Sequence, residues 1–397
     1  MFDSLKALPA DPILGLIAAC KDDPNPEKID LGVGVFRTSD GLTPVLESVK
    51  EAEQWLLQNE ETKAYIGPAG NPGFNQQMLE LCLGKDHSAI RDKRCVMLQT
   101  PGGCGALRVG AELILRSKPG SRIWVSDPTW ANHIPLLGDA GIEIVTYPYY
   151  DSQNHEIAFD QMMAALENAN ADDFVLLHAC CHNPCGADLS RSQWQSLVAL
   201  AEKRGFTPFV DMAYQGFANG VDEDAYGLRL IAESLPEMLF AVSCSKNFGL
   251  YRERVGAVGV LAKQAEQVPA IASHVMSIVR GIYSMPPSHG AAIVEHVLAN
   301  DLLRSAWESE LKVMRDRIRE MRTAVVQRSN QAGAGGRFDF IAHEQGMFSF
   351  LGLSVEQVDK LAAEHSIYMV NSSRINIAGL NQGNISRFCE ALTVVVG

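Results

Sequence analysis

The sequence contains no apolar run approaching the ~20 residues of a membrane-spanning helix, which excludes a helical membrane protein. Its opening, from Met1 to Gly15, has an early acid and no long apolar core, so no signal peptide is expected. No internal repeat and no low-complexity tract is visible. Positive charge is in deficit: 34 Lys and Arg stand against 47 Asp and Glu, net −13. That argues against nucleic acid or an anionic membrane as the main partner. A local arginine site can still take a dianionic small molecule. The nine cysteines are odd in number and scattered, with no spacing that suggests a disulfide framework. Reduced thiols and a cytoplasmic location are expected. What remains is a globular chain of 397 residues, 47% hydrophobic, whose length suits two domains better than one core.

Short apolar runs alternate with helix-like segments. Arg122–Ser126, Phe174–His178, Pro208–Asp211, Leu239–Ser243 and Val255–Val260 read as buried strands, and Leu107–Leu115, Ser192–Arg204 and Tyr226–Ala232 as helices. This alternation predicts an α/β architecture, a largely parallel sheet covered on both faces. Ligands in such sheets sit at the carboxyl ends of the strands, where Asp211, Ser243 and Ser245 fall. A long charged helix, Leu302 to Ser329, then leads to strand-like runs near Met347–Phe350 and Arg374–Ile377, read as a smaller domain.

The densest chemistry lies in Ser243-Cys244-Ser245-Lys246-Asn247-Phe248-Gly249, followed by Arg254-Val255-Gly256. An amine can form a Schiff base with an aldehyde. Hydroxyls and a forked cation suit a phosphate ester. An aldehyde that carries a phosphate is pyridoxal phosphate. Thr100-Pro101-Gly102-Gly103-Cys104-Gly105 is a glycine-rich turn opening a helix, where backbone N–H groups favour a phosphate. Asp211-Met212-Ala213-Tyr214 follows a buried strand. Asp211 there either caps a helix or meets a cation, such as a protonated pyridine nitrogen. Trp130, in Asp127-Pro128-Thr129-Trp130-Ala131-Asn132-His133, is either core or a surface for a flat ring. His178-Ala179-Cys180-Cys181-His182-Asn183-Pro184-Cys185 has thiols and imidazoles, but adjacent Cys180 and Cys181 cannot easily face one ion. No metal is expected; the alternative is a turn that presents the Asn183 amide. Arg374, in an apolar segment, needs a carboxylate partner from protein or ligand.

Together these motifs resemble the aspartate and aromatic branch of the class I pyridoxal-phosphate-dependent aminotransferases, from Asp11-Pro12-Ile13-Leu14 to Arg374-Ile375-Asn376-Ile377. The resemblance implies fold type I: a large cofactor-binding domain at 44–313, its mostly parallel sheet sandwiched by helices. A smaller α/β domain would come from 15–43 and 314–397, with an N-terminal arm at 1–14. It implies Lys246 as the covalent anchor and general base. Asp211 would face the ring nitrogen, supported by His178; Tyr214 and Asn183 would bond the ring's phenolate oxygen; Trp130 would stack on the ring. Ser243, Ser245, Arg254, Gly103 and Cys104, with Tyr65 of a neighbouring subunit, would hold the phosphate. Gly34, Trp130, Asn183, Arg280 and Arg374 would bind substrate, Arg374 at the α-carboxylate and Arg280, from the other subunit, at a distal carboxylate. The family is a homodimer with shared active sites, without nucleic-acid or membrane partners.

The implied reaction moves an α-amino group from aspartate or an aromatic amino acid to 2-oxoglutarate or oxaloacetate in two half-reactions. A strictly aspartate-specific enzyme, or a lyase or decarboxylase with the same cofactor, are the alternatives. Three residues depart from the family's usual pattern: Cys104 for Ser or Thr, Cys185 for Thr, and Ser373 for Gly. Val35, Phe36, Arg37 and Thr43 resemble aspartate-specific members, whereas Met285 makes its wall more apolar.

Overall fold

The computed structural model describes residues 2–7 and 12–397. They form two compact units, Pro44–Asp316 and the residues up to Thr43 together with Arg317–Gly397. The first helix spans Pro12–Asp22, so the last residues of the expected arm are helical. Met1 and residues 8–11 of that arm lie outside the described residues.

The larger unit is built on seven strands: β1 (Cys95–Pro101), β2 (Arg122–Asp127), β3 (Glu143–Pro148), β4 (Asp173–His178), β5 (Thr207–Met212), β6 (Met238–Ser243) and β7 (Val255–Leu261). Their order is β1-β7-β6-β5-β4-β2-β3. Every pairing is parallel except those of β7, which runs antiparallel to both neighbours. The cause is local. Residues 244–254 are too few for the usual helical crossover, so the chain turns straight back. That short return holds both Lys246 and Arg254, and so keeps them at one edge of the sheet. All residues of β6 and β7 are buried, as strands covered on both faces require. β3 escapes a reading by apolar runs because it is a half-exposed edge strand.

The helix Gly102–Ser117 packs its Ala106, Leu107, Val109 and Leu113 into one core with Ile123, Leu176, Phe209 and Val258 from the strands. Such a stripe, apolar at helical spacing, is what places the helix on the sheet. The helix Arg191–Arg204 starts where Ser190 and Gln193 form a reciprocal capping box and stops at Gly205, in the left-handed conformation.

In the terminal unit, Ile29–Asp30 pairs parallel with Ile367–Tyr368, and Phe348–Phe350 pairs antiparallel with Arg374–Asn376. Buried Arg322 holds the segment before the second pair. Its guanidinium donates to the carbonyls of Ile341, Gln345, Gly346 and Phe348 and pairs with Glu344 at 3.2 Å. Among the described residues no helix is long and apolar enough to cross a membrane.

Candidate active site

The carboxyl ends of the parallel strands carry the site residues of the larger unit. His178 ends β4, Asp211 is next to last in β5, and Ser243 ends β6. Lys246 follows in the return between β6 and β7, and its Nζ lies 5.2 Å from the centre of the Tyr214 ring. Gly249 N–H donates to the Lys246 carbonyl at 3.1 Å and closes the turn.

Gly102 and Gly103 open the long helix beside this turn. A Cβ on Gly102 would stand 2.6 Å from Arg254 Nη2, and one on Gly103 would stand 3.2 Å from Ser243 Cβ. Gly102 also has φ +75°, a conformation that side chains resist. Arg254 Nη1 donates to the Tyr251 carbonyl at 2.9 Å and reaches Ser245 Oγ at 3.5 Å. Ser245 N–H donates to Ser243 Oγ at 3.2 Å. A helix N-terminus, two hydroxyls and a guanidinium therefore converge where no side chain fits. This donor set matches a phosphate in both charge and hydrogen-bonding sense. Cys104, in the first turn of that helix, is half-buried, and its sulfur accepts from Asn132 Nδ2 at 3.8 Å. A thiol offers a phosphate less than a hydroxyl would, but the backbone N–H groups of the turn do not depend on that side chain.

Asp211 is buried, and His133 Nε2 lies 3.1 Å from its Oδ2. Burial raises its carboxyl pKa. The His133 hydrogen bond and Lys246 outweigh this and hold it below the usual carboxylate range. An ionised carboxylate buried at the carboxyl end of the central strand is arranged to face a cation.

Support for Asp211 was expected from His178, and the structure assigns it to His133. His178 is its ladder neighbour in the next strand, but its Nε2 lies 3.2 Å from Thr129 Oγ1, not against the carboxylate. Thr129 Oγ1 in turn lies 2.8 Å from His133 Nδ1. In the neutral tautomer that donates Nε2–H to Asp211, His133 Nδ1 accepts the Thr129 hydroxyl proton, and Thr129 accepts from His178. Burial pushes His178 down to about 3, so it is neutral and serves as the far end of this relay. His182 continues the ring stack: its centroid is 4.0 Å from that of His178 and 4.1 Å from that of Tyr149. His182 Nδ1 meets Cys185 Sγ at 3.1 Å, so Cys185 serves an imidazole rather than a metal. Among the described residues no group of His, Cys, Asp and Glu is placed to hold a metal ion. The signal for His133 was present in the sequence. Thr129 and His133 are four apart in the segment after β2, on either side of Trp130.

Trp130 is half-buried, with its ring edge-on to His133 at 5.2 Å. Asn183 is buried in the turn after β4, where Asp188 caps the N–H groups of Cys181 and His182. Tyr65 and Arg280 stand apart on the surface. Tyr65 is 93% exposed, and the exposed Arg280 donates to Ser284 Oγ. Among the described residues neither shares a hydrogen bond or ring contact with the Lys246 cluster.

Gly34 and Arg374 belong to the terminal unit. Arg374 is buried, donates to the Gly32 carbonyl at 2.8 Å, and has its guanidinium 4.5 Å from the Phe348 ring centre. A Cβ on Gly34 would meet the same ring at 2.9 Å. Phe348 is a residue that motif reading passed over. Arg37 pairs with Asp30 at 2.5 Å, and Thr43 Oγ1 donates to the Phe36 carbonyl.

Known proteins show the family. The sequence matches the aminotransferase class I and II family over residues 26–392. This chain belongs to that family. It is 48% identical over 396 residues to the aspartate aminotransferase of Escherichia coli (strain K12), covering 100% of both chains. It is 43% identical to the aromatic-amino-acid aminotransferase of Pseudomonas aeruginosa, covering 99% of this chain and 98% of that one. Among solved structures it superposes on an aromatic-amino-acid aminotransferase from Burkholderia pseudomallei covalently bound to pyridoxal phosphate. That match has TM-score 0.98 and 40% identity, covering 100% of both chains. The fold of this aminotransferase is therefore that of the pyridoxal-phosphate aminotransferases, as its motifs implied.

Proposed function

We propose that this aminotransferase moves the α-amino group of aspartate and of aromatic amino acids to 2-oxoglutarate or oxaloacetate, with pyridoxal phosphate as cofactor. One observation carries the reading: Lys246 adjoins both an anion cradle and a buried, ionised carboxylate. The cradle of Gly103, Ser243, Ser245 and Arg254, with the Cys104 backbone, would take the phosphate. Asp211, supported by His133, would pair with the ring nitrogen. Tyr214 and Asn183 would donate to the phenolate oxygen, and Trp130 would lie against the ring. When bound, the cofactor supplies an electron sink that acidifies the substrate's α-proton.

The rest is done by the protein. Arg374 takes the substrate α-carboxylate, and Gly34 leaves room for the Phe348 ring that lies against Arg374. Lys246 Nζ is the covalent anchor. Its freed amine would be the general base that takes the substrate's α-proton. Tyr65 and Arg280 act on the active site of a second copy, in a homodimer. Their exposure in a single chain supports that reading. The odd, scattered cysteines support a cytoplasmic location.

Incubation with aspartate and 2-oxoglutarate is expected to yield oxaloacetate and glutamate in equal amounts. Phenylalanine is expected to replace aspartate as donor. Carbon dioxide release without glutamate would assign a decarboxylase instead.

Arg280 separates the substrate classes. Its guanidinium can pair with a distal carboxylate, a charge-assisted contact worth about 1.5–3 kcal/mol. Phenylalanine and tyrosine offer no such partner. Arg280→Ala is expected to cut kcat/KM for aspartate by more than about tenfold and to leave phenylalanine within a few-fold. Both substrates are measured on one preparation. Equal losses would make Arg280 a structural or interface residue.

A further inference from the structure

Lys246 sits on a flexible four-carbon stem, and the sweep of its amine is set by where its backbone is held. Two buried side chains hold that backbone, and the reaction described above uses neither. Trp307, in the helix Asp301–Gln331, is fully buried. Its indole N–H donates to the Asn247 carbonyl at 2.7 Å. The same ring lies parallel to Phe248, 4.5 Å between centroids and 8° between planes. One indole therefore grips both residues that follow Lys246.

Asn247 continues the connection. Its Nδ2 reaches the Gln215 carbonyl at 3.4 Å. Gln215 is itself fastened, its Nε2 donating to the carbonyls of Leu81 at 3.0 Å and Val221 at 2.9 Å. Gln215 directly follows Tyr214, whose ring faces Lys246 Nζ. Trp307, Asn247 and Gln215 thus tie the turn that carries the amine to the turn that carries the phenol. Asn247 is also an expensive residue here. It is 2% exposed, and its Oδ1 has no hydrogen-bond partner. Burying an unsatisfied amide oxygen lowers stability, so an apolar residue would suit the fold better.

We infer that Trp307 and Asn247 are positioning residues that fix the pivot of Lys246 relative to Tyr214. The inference rests on the reading of Lys246 as anchor and proton carrier. Lys246 must leave one bonded position, serve as a base and return. A displacement of 1 Å in such a group costs roughly 10²-fold in rate.

The test uses the holoenzyme. Trp307→Phe keeps an aromatic ring against Phe248 and removes the N–H donor. The expected result is a kcat about five- to tenfold lower with KM for aspartate within about twofold. The midpoint of the pH titration of the cofactor's visible band, which reads the Lys246 nitrogen directly, should move by at least about half a unit. Asn247→Ala removes the link to Gln215 together with the unsatisfied oxygen. It is expected to show the same shift and the same kcat loss with an unchanged or raised Tm, and it decides alone if Trp307→Phe does not fold. A lowered Tm with an unmoved midpoint and kcat within about twofold would overturn the inference and leave both residues purely structural. Borohydride reduction of the wild-type holoenzyme and peptide mapping check the underlying reading separately. Label on a lysine other than Lys246 would remove that reading, whatever the variants do.

Discussion

Lys246→Ala is expected to abolish turnover while the variant still takes up pyridoxal phosphate. The two effects separate because the side chain and the cradle do different work. The hydroxyls of Ser243 and Ser245, the Arg254 guanidinium and the helix N-terminus at Gly102 are untouched by the substitution. The amine is lost, and with it the group proposed as both covalent anchor and proton carrier. Removing a general acid–base group alone costs about 10²–10⁴-fold. No second lysine shares a turn with these phosphate-binding types. The check is multiple-turnover kinetics with aspartate and 2-oxoglutarate, alongside the amount of cofactor retained after gel filtration. Sustained turnover near the wild-type rate would sink the assignment of Lys246.

Asp211→Ala is expected to lower kcat by at least ~100-fold, since each 1.36 kcal/mol in the barrier is a factor of ten. The carboxylate is buried, held ionised, and aligned by His133 Nε2 at 3.1 Å. A preorganised charge in a water-poor site needs little reorganisation when positive charge must be held opposite it. Asp211→Asn keeps the shape and loses the charge, so it should fall nearly as far. If Asn were nearly as active as Asp, shape rather than charge would be at work. A loss below about threefold in both variants would contradict the role altogether.

Much of the site was legible in the sequence because its chemistry is carried by short contiguous motifs. Ser243, Ser245, Lys246 and Arg254 lie within one loop, so any fold that makes the loop brings them close. Asp211 and Tyr214 were legible for the same reason, at the end of an apolar strand. The buried strands β2, β4, β5, β6 and β7 announced themselves as unbroken apolar runs. Edge strand β3 did not, because half of its residues face water. The direction of β7 was not legible either, since an apolar run has no sign; the shortness of its connection decides it.

What the sequence determined by itself was the inventory: an amine among phosphate-binding types, a carboxylate at a strand end, and arginines in apolar settings. Residue type and local spacing suffice for that. Only the tertiary structure decided which imidazole serves Asp211. His133 and His178 are both near it in the fold and both far from it in the chain, and only an approach of 3.1 Å distinguishes them. The same holds for the Phe348 ring beneath Arg374 and for the Trp307 indole against Asn247 and Phe248. Phe348 lies in an apolar stretch and Trp307 in a charged helix, and neither is distinguishable in sequence from ordinary core. The partner of each is set by long-range packing, where geometry rather than composition assigns the contact.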